Sequence, residues 1–490
     1  MGWQLEHTYA GLPDLFHRRA APTPVRQPAM VVFNASLAAS LGLDSGTLSN
    51  GDGAAILAGN RVPEGAQPLA QAYAGHQFGY FTTLGDGRAI LLGEQIAPDG
   101  RRWDIQLKGP GRTPYSRRGD GRAALGPMLR EYILSEAMHA LGIPTSRSLA
   151  VVATGEPVYR ERPLAGAVLT RVASSHIRVG TFEWAARGDH AALAALADYT
   201  IWRHYPHLLG MASAPDPAVA RAERHLALLD AIVEAQAALV ARWQLAGFIH
   251  GVMNTDNMAV SGETLDYGPC AFMDRYDPDT VFSSIDQQGR YAYGNQPPIA
   301  LWNLTRLAEA FLPLLDVRAD AAVERATAVL RQFQTRFDDH WLRGMRAKLG
   351  LFTVEPDDAS LAHDLLRWMR DARADFTNTF RRLSVNQGDP AATADPAFAA
   401  WHQRWHARLR RQPQSSEQVV RHMRASNPAV IPRNHLVEEA LAAATERADL
   451  SVMHRLQRVL ASPYDHDADL EAFNTLPAEG GPPYQTFCGT

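Results

Sequence analysis

Cysteine and lysine are almost missing from this 490-residue chain. The two cysteines, Cys270 and Cys488, are too few for a disulfide framework or a cysteine-built zinc site. Lys108 and Lys348 are the only lysines, so 46 of the 48 basic residues are arginine. Arginine takes over most surface tasks of lysine but not the compact point charge that an ammonium places on phosphate, which marks each surviving lysine as a candidate for such work. No run of about 18 apolar residues occurs, so no membrane span is expected. A surplus of one charge sign is also lacking. The formal net charge is −4, which gives no electrostatic support to nucleic-acid binding. The opening "MGWQLEHTYAGLPDLF" has no basic flank before an apolar run, and Glu6 stands where a myristoylation signal has Ser or Thr. The expectation is a cytoplasmic globular protein with no membrane or nucleic-acid partner. Its length suits one large two-lobed domain or two to three smaller ones.

What is present is ordered along the chain. Residues 1–70 mix Pro-rich extended pieces with short helices, and Asn34 in "NASLAASLGL" reads as an N-cap with Gly42 near a helix end. From Ala74 the pattern turns to short strands. "YFTTLGDGRAILLGE" predicts two strands around an Asp86-Gly87 hairpin turn, and "RRWDIQLKGPG" a half-buried strand ending at Lys108. "GPMLREYILSEAMHALGI" is an amphipathic helix with Pro127 at its start and Gly142 at its end; "RSLAVVATGEPVYRE" and "LAGAVLTRVA" are two more strands. After residue 174 helices dominate. "HLALLDAIVEAQAALVARWQLAG" is long and largely apolar, and four further helical stretches follow Pro297. The basic, aromatic "WHQRWHARLRRQP" reads as a solvated helix face. The fold class expected is α+β, a strand-rich lobe over residues 1–173 and a helical lobe over 174–490, the layout of a protein-kinase-like fold.

ATP-dependent transfer needs a phosphate cradle, a cation, oxygen ligands for Mg and a group that orients the nucleophile. The chain offers each in kinase order. Gly85-Asp86-Gly87-Arg88 could let backbone N–H groups approach phosphate. Lys108 ends a strand on its polar face, and its acidic partner on the next helix is Glu131 or Glu136, which periodicity leaves open although Glu136 lies nearer the apolar stripe. In "HGVMNTDNMAVSGETLDYGP", Met258 to Val260 and Thr264 to Leu265 read as strands that bring Asn257 and Asp266 to one end of a hairpin, an amide and a carboxylate suited to hard Mg. Val252 stands where a kinase of the His-Gly-Asp type keeps its base. Asp256 is the nearby carboxylate that can take a proton. Arg171 and Arg178 follow the last strand, near any cleft between lobes.

"HGVMNTDNM", "DYGP", "QLKGPGRTPYSRRGDGRA", "YAGHQFG" and "NPAVIPRNHLVEEA" resemble the selenoprotein O (SelO) family over nearly the whole chain. The resemblance implies a pseudokinase fold that binds ATP in a flipped orientation and transfers AMP to Ser, Thr or Tyr hydroxyls of proteins, redox-related ones among them. It implies nucleotide contacts from Gly85, Gly87, Arg88, Lys108, Asp120, Gly121, Arg171, Arg178 and Asp266. Glu131 would be the ion-pair partner of Lys108, Asn257 and Asp266 the ligands of Mg (or Mn), and Asp256 the base. Competing readings are a divergent kinase that moves the γ-phosphate and a nucleotide-binding scaffold. Relatives that pair a C-terminal cysteine with an internal one have it where this chain has Ser283 and Ser284, so the resemblance does not carry that disulfide over to Cys488.

Overall fold

The structure, a computed structural model, describes residues 2–210, 216–386, 395–466 and 469–478. Cys488 lies outside them. The first third of the chain builds one antiparallel sheet. Its strands are β1 (Leu5–Glu6), β2 (His17–Arg19), β3 (Ala29–Phe33), β4 (Leu69–Gln71), β7 (Ala89–Ile96), β8 (Arg102–Lys108), β9 (Ala123–Ala124), β10 (Arg147–Tyr159) and β11 (Pro163–Ala173). The main path runs β2-β4-β7-β8-β11-β10-β3, with β1 added to β7 and β9 to β11. Between β4 and β7 the chain leaves this sheet to form a separate hairpin, β5 (Ala74–Gln77) with β6 (Tyr80–Thr83).

Alternation along the strands decides what each face meets. Ile105 and Leu107 of β8 point to one face, where Leu149, Val168 and Val172 join the short helices α1 (Ala35–Ser40), α2 (Ser45–Leu48) and α3 (Gly51–Leu57) in one core. Asn34 caps α1 as expected, its side chain accepting from Leu37 N–H. Gln106 and Lys108 point to the other face. There α4 (Leu125–Ala140) packs Leu129 and Ile133 on Val151 and Leu169.

Downstream the chain is mainly helical: α5 (Val179–Ala185), α6 (His190–His204), α7 (Pro217–Ala246), α8 (Gln296–Leu315), α9 (Ala319–Leu330), α10 (Gln332–Lys348), α11 (Asp358–Asp371), α12 (Phe376–Asn386), α13 (Pro396–Leu409), α14 (Ser416–Ser426), α15 (Asn434–Arg447), α16 (Ser451–Leu460) and α17 (Glu471–Asn474). The central helix α7 starts with Asp216 capping Ala218 N–H and Pro217 in its first turn, and it stops at Gly247 in the left-handed region. Its Leu228, Leu229, Ile232, Val233 and Val240 are fully buried. The α15–α16 pair lies against α4, completing the core over that helix.

Four expectations need correction. The Asp86-Gly87 turn does not join paired strands: β6 pairs with β5, whereas β7 pairs with β4 and β8. Asp86 turns inward instead, accepting from Gln71 N–H at 3.1 Å. Residues 258–265 are not two strands; a single antiparallel bridge joins Met258 to Thr264, and the paired strands lie further out as β12 (Phe248–Ile249) and β13 (Ala271–Phe272). Three of the long helical stretches are helix pairs, α11–α12 and α15–α16 breaking at Arg373 and Ala448, both with positive φ, and α9–α10 breaking at Arg331. The aromatic residues of α13 are not solvated. Trp401 and Trp405 are core, and Arg408 is buried on Asp358 at 2.7 Å, leaving Arg404 and its neighbours outside.

Lys348, at the end of α10, is buried with its ammonium over Phe380 at 4.2 Å and Phe376 at 5.6 Å. Burial pushes it down to about 7. The unfolded chain keeps this proton up to about pH 10.4, so between the two values the unfolded state binds more protons and stability rises with pH. Below about 7 the cost of the buried charge is present in full. Lys348→Met is expected to raise the melting temperature by several degrees near pH 6 and to gain little near pH 10, measured by calorimetry at both. An equal gain at both would show that the charge is not what matters there.

Candidate active site

The strand face that carries Gln106 and Lys108 also carries Arg171, because Leu169 pairs with Lys108 and Arg171 lies two residues on. Opposite stands α4, whose Glu131 points at the sheet. Lys108 Nζ donates to Glu131 Oε2 at 2.6 Å and also to Asp266. Arg171 donates from Nε to Glu131 Oε1 at 2.7 Å and from Nη2 to Asp266 Oδ1 at 2.8 Å. Two cations and two carboxylates thus close a ring. Burial alone would push the Asp266 carboxyl up, but Lys108 and Arg171 outweigh it and hold the group well below the usual range. Glu136, which periodicity kept in play, is elsewhere: it takes Arg147 at 2.6 Å and Asn34 at 2.8 Å.

A second charged group sits beside this ring. Arg178, between β11 and α5, stacks over Tyr73 at 4.2 Å and approaches Asp86 Oδ1 to 3.8 Å. Burial raises the Asp86 carboxyl despite Arg178. Asp256 lies in the short 3-10 turn of residues 255–257, and burial pushes its carboxyl up to about 6, with Arg178 opposing and Asp266 and Glu183 adding. Its Oδ1 has no hydrogen-bond partner among the described residues. The β5–β6 hairpin clamps the turn. His76 N–H donates to Thr255 Oγ1 at 2.7 Å, Thr255 Oγ1 donates to Glu183 Oε2 at 2.5 Å, and Phe78 N–H donates to Asn254 Oδ1 at 3.0 Å. Gly75 permits the approach, since a Cβ there would meet Asp256 Oδ1 at 2.5 Å.

Both groups open on one cleft of about 610 Å³. Gly85, Gly87, Arg88, Lys108, Asp120, Gly121, Arg171, Arg178, Asp256, Asn257 and Asp266 all line it, as does Val252. Glu131 stands behind Lys108 rather than in the cleft wall. Gly85 has φ +122, and a Cβ would meet the Tyr115 ring at 2.5 Å. Reading the residues one by one missed Tyr73, Glu183 and Tyr115 and gave Asp86 only a place in a turn. Only the "YAGHQFG" stretch pointed near the first, and nothing in local pattern marks a Glu inside a buried helix as the holder of a distant turn.

A family model described as "Protein adenylyltransferase SelO" matches residues 2–461. This chain belongs to the SelO family. Among its relatives are proteins named "Protein nucleotidyltransferase YdiU" from Halalkalibacterium halodurans, 59% identical over 100% of this chain and 98% of its own length, and from Brevibacillus brevis, 60% identical over the same shares. Another so named, from Geobacillus kaustophilus, is 58% identical over 100% of this chain and 99% of its own. The chain is therefore an AMP-transferring protein adenylyltransferase, with ATP as its nucleotide.

In this SelO protein α4 is fixed from behind. Arg130, the neighbour of Glu131, donates to Glu438 at 2.7 Å and Asn434 at 2.8 Å, both on α15, and to the Cys270 carbonyl at 2.5 Å. Cys270 itself is buried and its thiol is pushed up to about 12 by burial, which leaves it little thiolate character. No helix among the described residues is long and apolar enough to cross a membrane.

The ring of four charges gives a stability test. Lys108→Met leaves Glu131 and Asp266 to share Arg171 alone, and a loss of about 3–5 kcal/mol in urea unfolding is expected. Adding Glu131→Leu removes the uncompensated charge and should recover most of that loss. A double variant no more stable than the single one would refute the coupling.

Proposed function

We propose that this chain transfers AMP from ATP to Ser, Thr or Tyr hydroxyls of protein substrates, within a two-lobed protein-kinase-like fold whose lobes are residues 1–173 and 174–490. The observation that carries the reading is the distribution of charge in the cleft. Val252 cannot act as a base, yet a buried carboxylate raised to about 6, Asp256, borders the same cavity as seven cationic side chains. A phosphate chain with its terminal groups turned toward Lys108, Arg171 and Arg178 presents its α-phosphorus, rather than its γ-phosphorus, to Asp256. Lys108 on a sheet strand, paired with an acid on the following helix, supports the kinase-like assignment.

The steps follow from the groups. Gly85, Gly87, Arg88, Asp120 and Gly121 border the nucleotide, and the buried guanidinium groups of Arg171 and Arg178 hold the outer phosphates in fixed orientation. Asp256 accepts the proton of the acceptor hydroxyl, whose oxygen bonds to the α-phosphorus as the bond to the bridging oxygen breaks. Pyrophosphate leaves, its charge held by Lys108 and the arginines. Glu131 keeps Lys108 extended toward the phosphates.

Asn257 and Asp266 fit a hard divalent cation, Mg or Mn. Asn257 Nδ2 donates to the Val252 carbonyl at 3.0 Å, which turns Oδ1 away from that bond. Asp266 Oδ1 takes the hydrogen bonds of Lys108 and Arg171, leaving Oδ2 as the second oxygen ligand. Two protein oxygens suffice where phosphate oxygens and water complete the shell. When bound, the ion would neutralise charge developing on the phosphate oxygens. On the family resemblance, redox-related cytoplasmic proteins are the acceptors to assay first.

Parallel assays with ATP labelled at the α- or the γ-phosphate test the reading. Label on protein from the α position alone, lost in Asp266→Ala, is expected; label from the γ position alone would make the chain a kinase. The pH profile is a second check. As a base Asp256 works deprotonated, so kcat/KM should rise with pH along a limb no higher than about 6, and Asp256→Asn should remove both the limb and nearly all activity.

A further inference from the structure

The lip of the cleft carries charge that the reaction centre does not use. Residues 112–122, "RTPYSRRGDGR", loop out between β8 and β9, and the β10–β11 turn lies beside them. Arg112, Arg117 and Arg118 in the loop and Arg162 in the turn are exposed, and no ion pair joins any of the four to a carboxylate among the described residues. The loop is held in shape. Arg112 Nε donates to the Gly119 carbonyl at 2.9 Å, and Arg117 donates to the Thr83 carbonyl. Arg160 ties turn to loop through Asp120 at 2.9 and 3.2 Å. The acids of the neighbourhood are Asp120 and Glu156, already within reach of Arg160 and Arg122, the exposed Glu161, and Glu438 and Glu446 of α15, which line an adjoining cavity with Arg162.

A lip this basic stands out on a chain whose formal net charge is −4. The phosphates do not need it, since Lys108, Arg171 and Arg178 are already aimed into the interior of the cleft and buried. A cavity of about 610 Å³ takes a nucleotide and one side chain, so the rest of an acceptor segment must lie outside. Arg117, Asp120 and Arg160 line the same cavity as Asp256. A hydroxyl presented at Asp256 therefore brings the residues around it over this lip. Exposed charges of one sign act there by steering a macromolecule of opposite sign and fixing its register.

We propose that the protein acceptor is acidic around its hydroxyl: Asp and Glu residues flanking the modified Ser, Thr or Tyr dock on Arg112, Arg117, Arg118 and Arg162. This rests on the AMP-transfer reading of the cleft, and the test separates the two.

The test uses the full chain and three peptides, each with one Ser, flanked by Asp/Glu, by neutral residues or by Lys. Transfer of α-label gives KM and kcat, and fluorescence anisotropy gives peptide binding without chemistry. The acidic peptide is expected to have a KM about tenfold below that of the Lys-flanked one, with the difference shrinking as salt rises. In the Arg118→Glu/Arg162→Glu double variant the acidic peptide should weaken about tenfold and the Lys-flanked one improve, with KM for ATP unchanged. The same KM for all three peptides would overturn the proposal, as would a variant whose only change is a higher KM for ATP. If no peptide and no self-modification takes α-label, the transfer reading fails by itself. Anisotropy then decides the docking: charge-dependent binding lost in the double variant sustains it, and charge-independent binding ends it.

Discussion

A closed ring of two buried cations, one buried carboxylate and one half-buried carboxylate is the constraint on which the site depends. Lys108, Glu131, Arg171 and Asp266 come from a strand, a helix, a second strand and a loop, so the ring forms only when all four elements are in place. Burying any one of these charges alone costs several kcal/mol, and the ring is neutral only as a set. That is why α4 is gripped so firmly. Its Leu129 and Ile133 pack on the sheet, α15 covers it from outside, and Arg130 ties it to α15 and to the backbone at Cys270. The C-terminal helices thus serve the cleft through packing, although none of their described residues lines it.

The second constraint is the turn at residues 255–257. A carboxylate proposed to take a proton from the acceptor hydroxyl has to be kept from strong partners, yet held in place. Asp256 meets both conditions by indirect means. The turn is fixed through its neighbours, Thr255 on Glu183 and Asn254 on Phe78 and Tyr291, while one oxygen of the Asp256 carboxyl has no partner among the described residues. Glu183 then has two effects: it anchors the turn by hydrogen bonding, and its charge helps to raise Asp256. The hairpin β5–β6, inserted between two strands of the large sheet, is the element that reaches across to make this possible.

Much of this was legible from residues alone, and the boundary falls where chemistry becomes non-local. Strands with clean alternation, such as the one ending at Lys108, and helices with a cap and a glycine stop, such as α7, follow from local pattern. Local pattern also brought forward Lys108, Asn257 and Asp266, because few residue types can do their work. It could not choose between Glu131 and Glu136: both lie on one short helix, and the choice depends on where Arg147 and Lys108 stand in a sheet that pairs distant segments. It misread residues 258–265 as a strand pair for a related reason. Asp266 has φ +71, and the segment between it and Met258 is held by bonds to Ile177 and Pro144 rather than by its own ladder.

The near-absence of lysine acquires meaning at this point. In a chain whose basic residues are otherwise arginine, the two lysines occupy buried positions of opposite kind. Lys108 faces two carboxylates in a space where a compact ammonium can donate to both, whereas Arg171 beside it uses the spread of its guanidinium to bridge the same pair. The division of labour is geometric: the point charge donates to both carboxylates from one spot, and the planar group spans the same pair, with both residues lining the cleft. Among the described residues Lys348 pairs with no acid and lies against aromatic faces, so its burial depends on the ease with which an ammonium, unlike a guanidinium, gives up its proton. Arginine could replace neither, in the first case for shape and in the second for proton affinity.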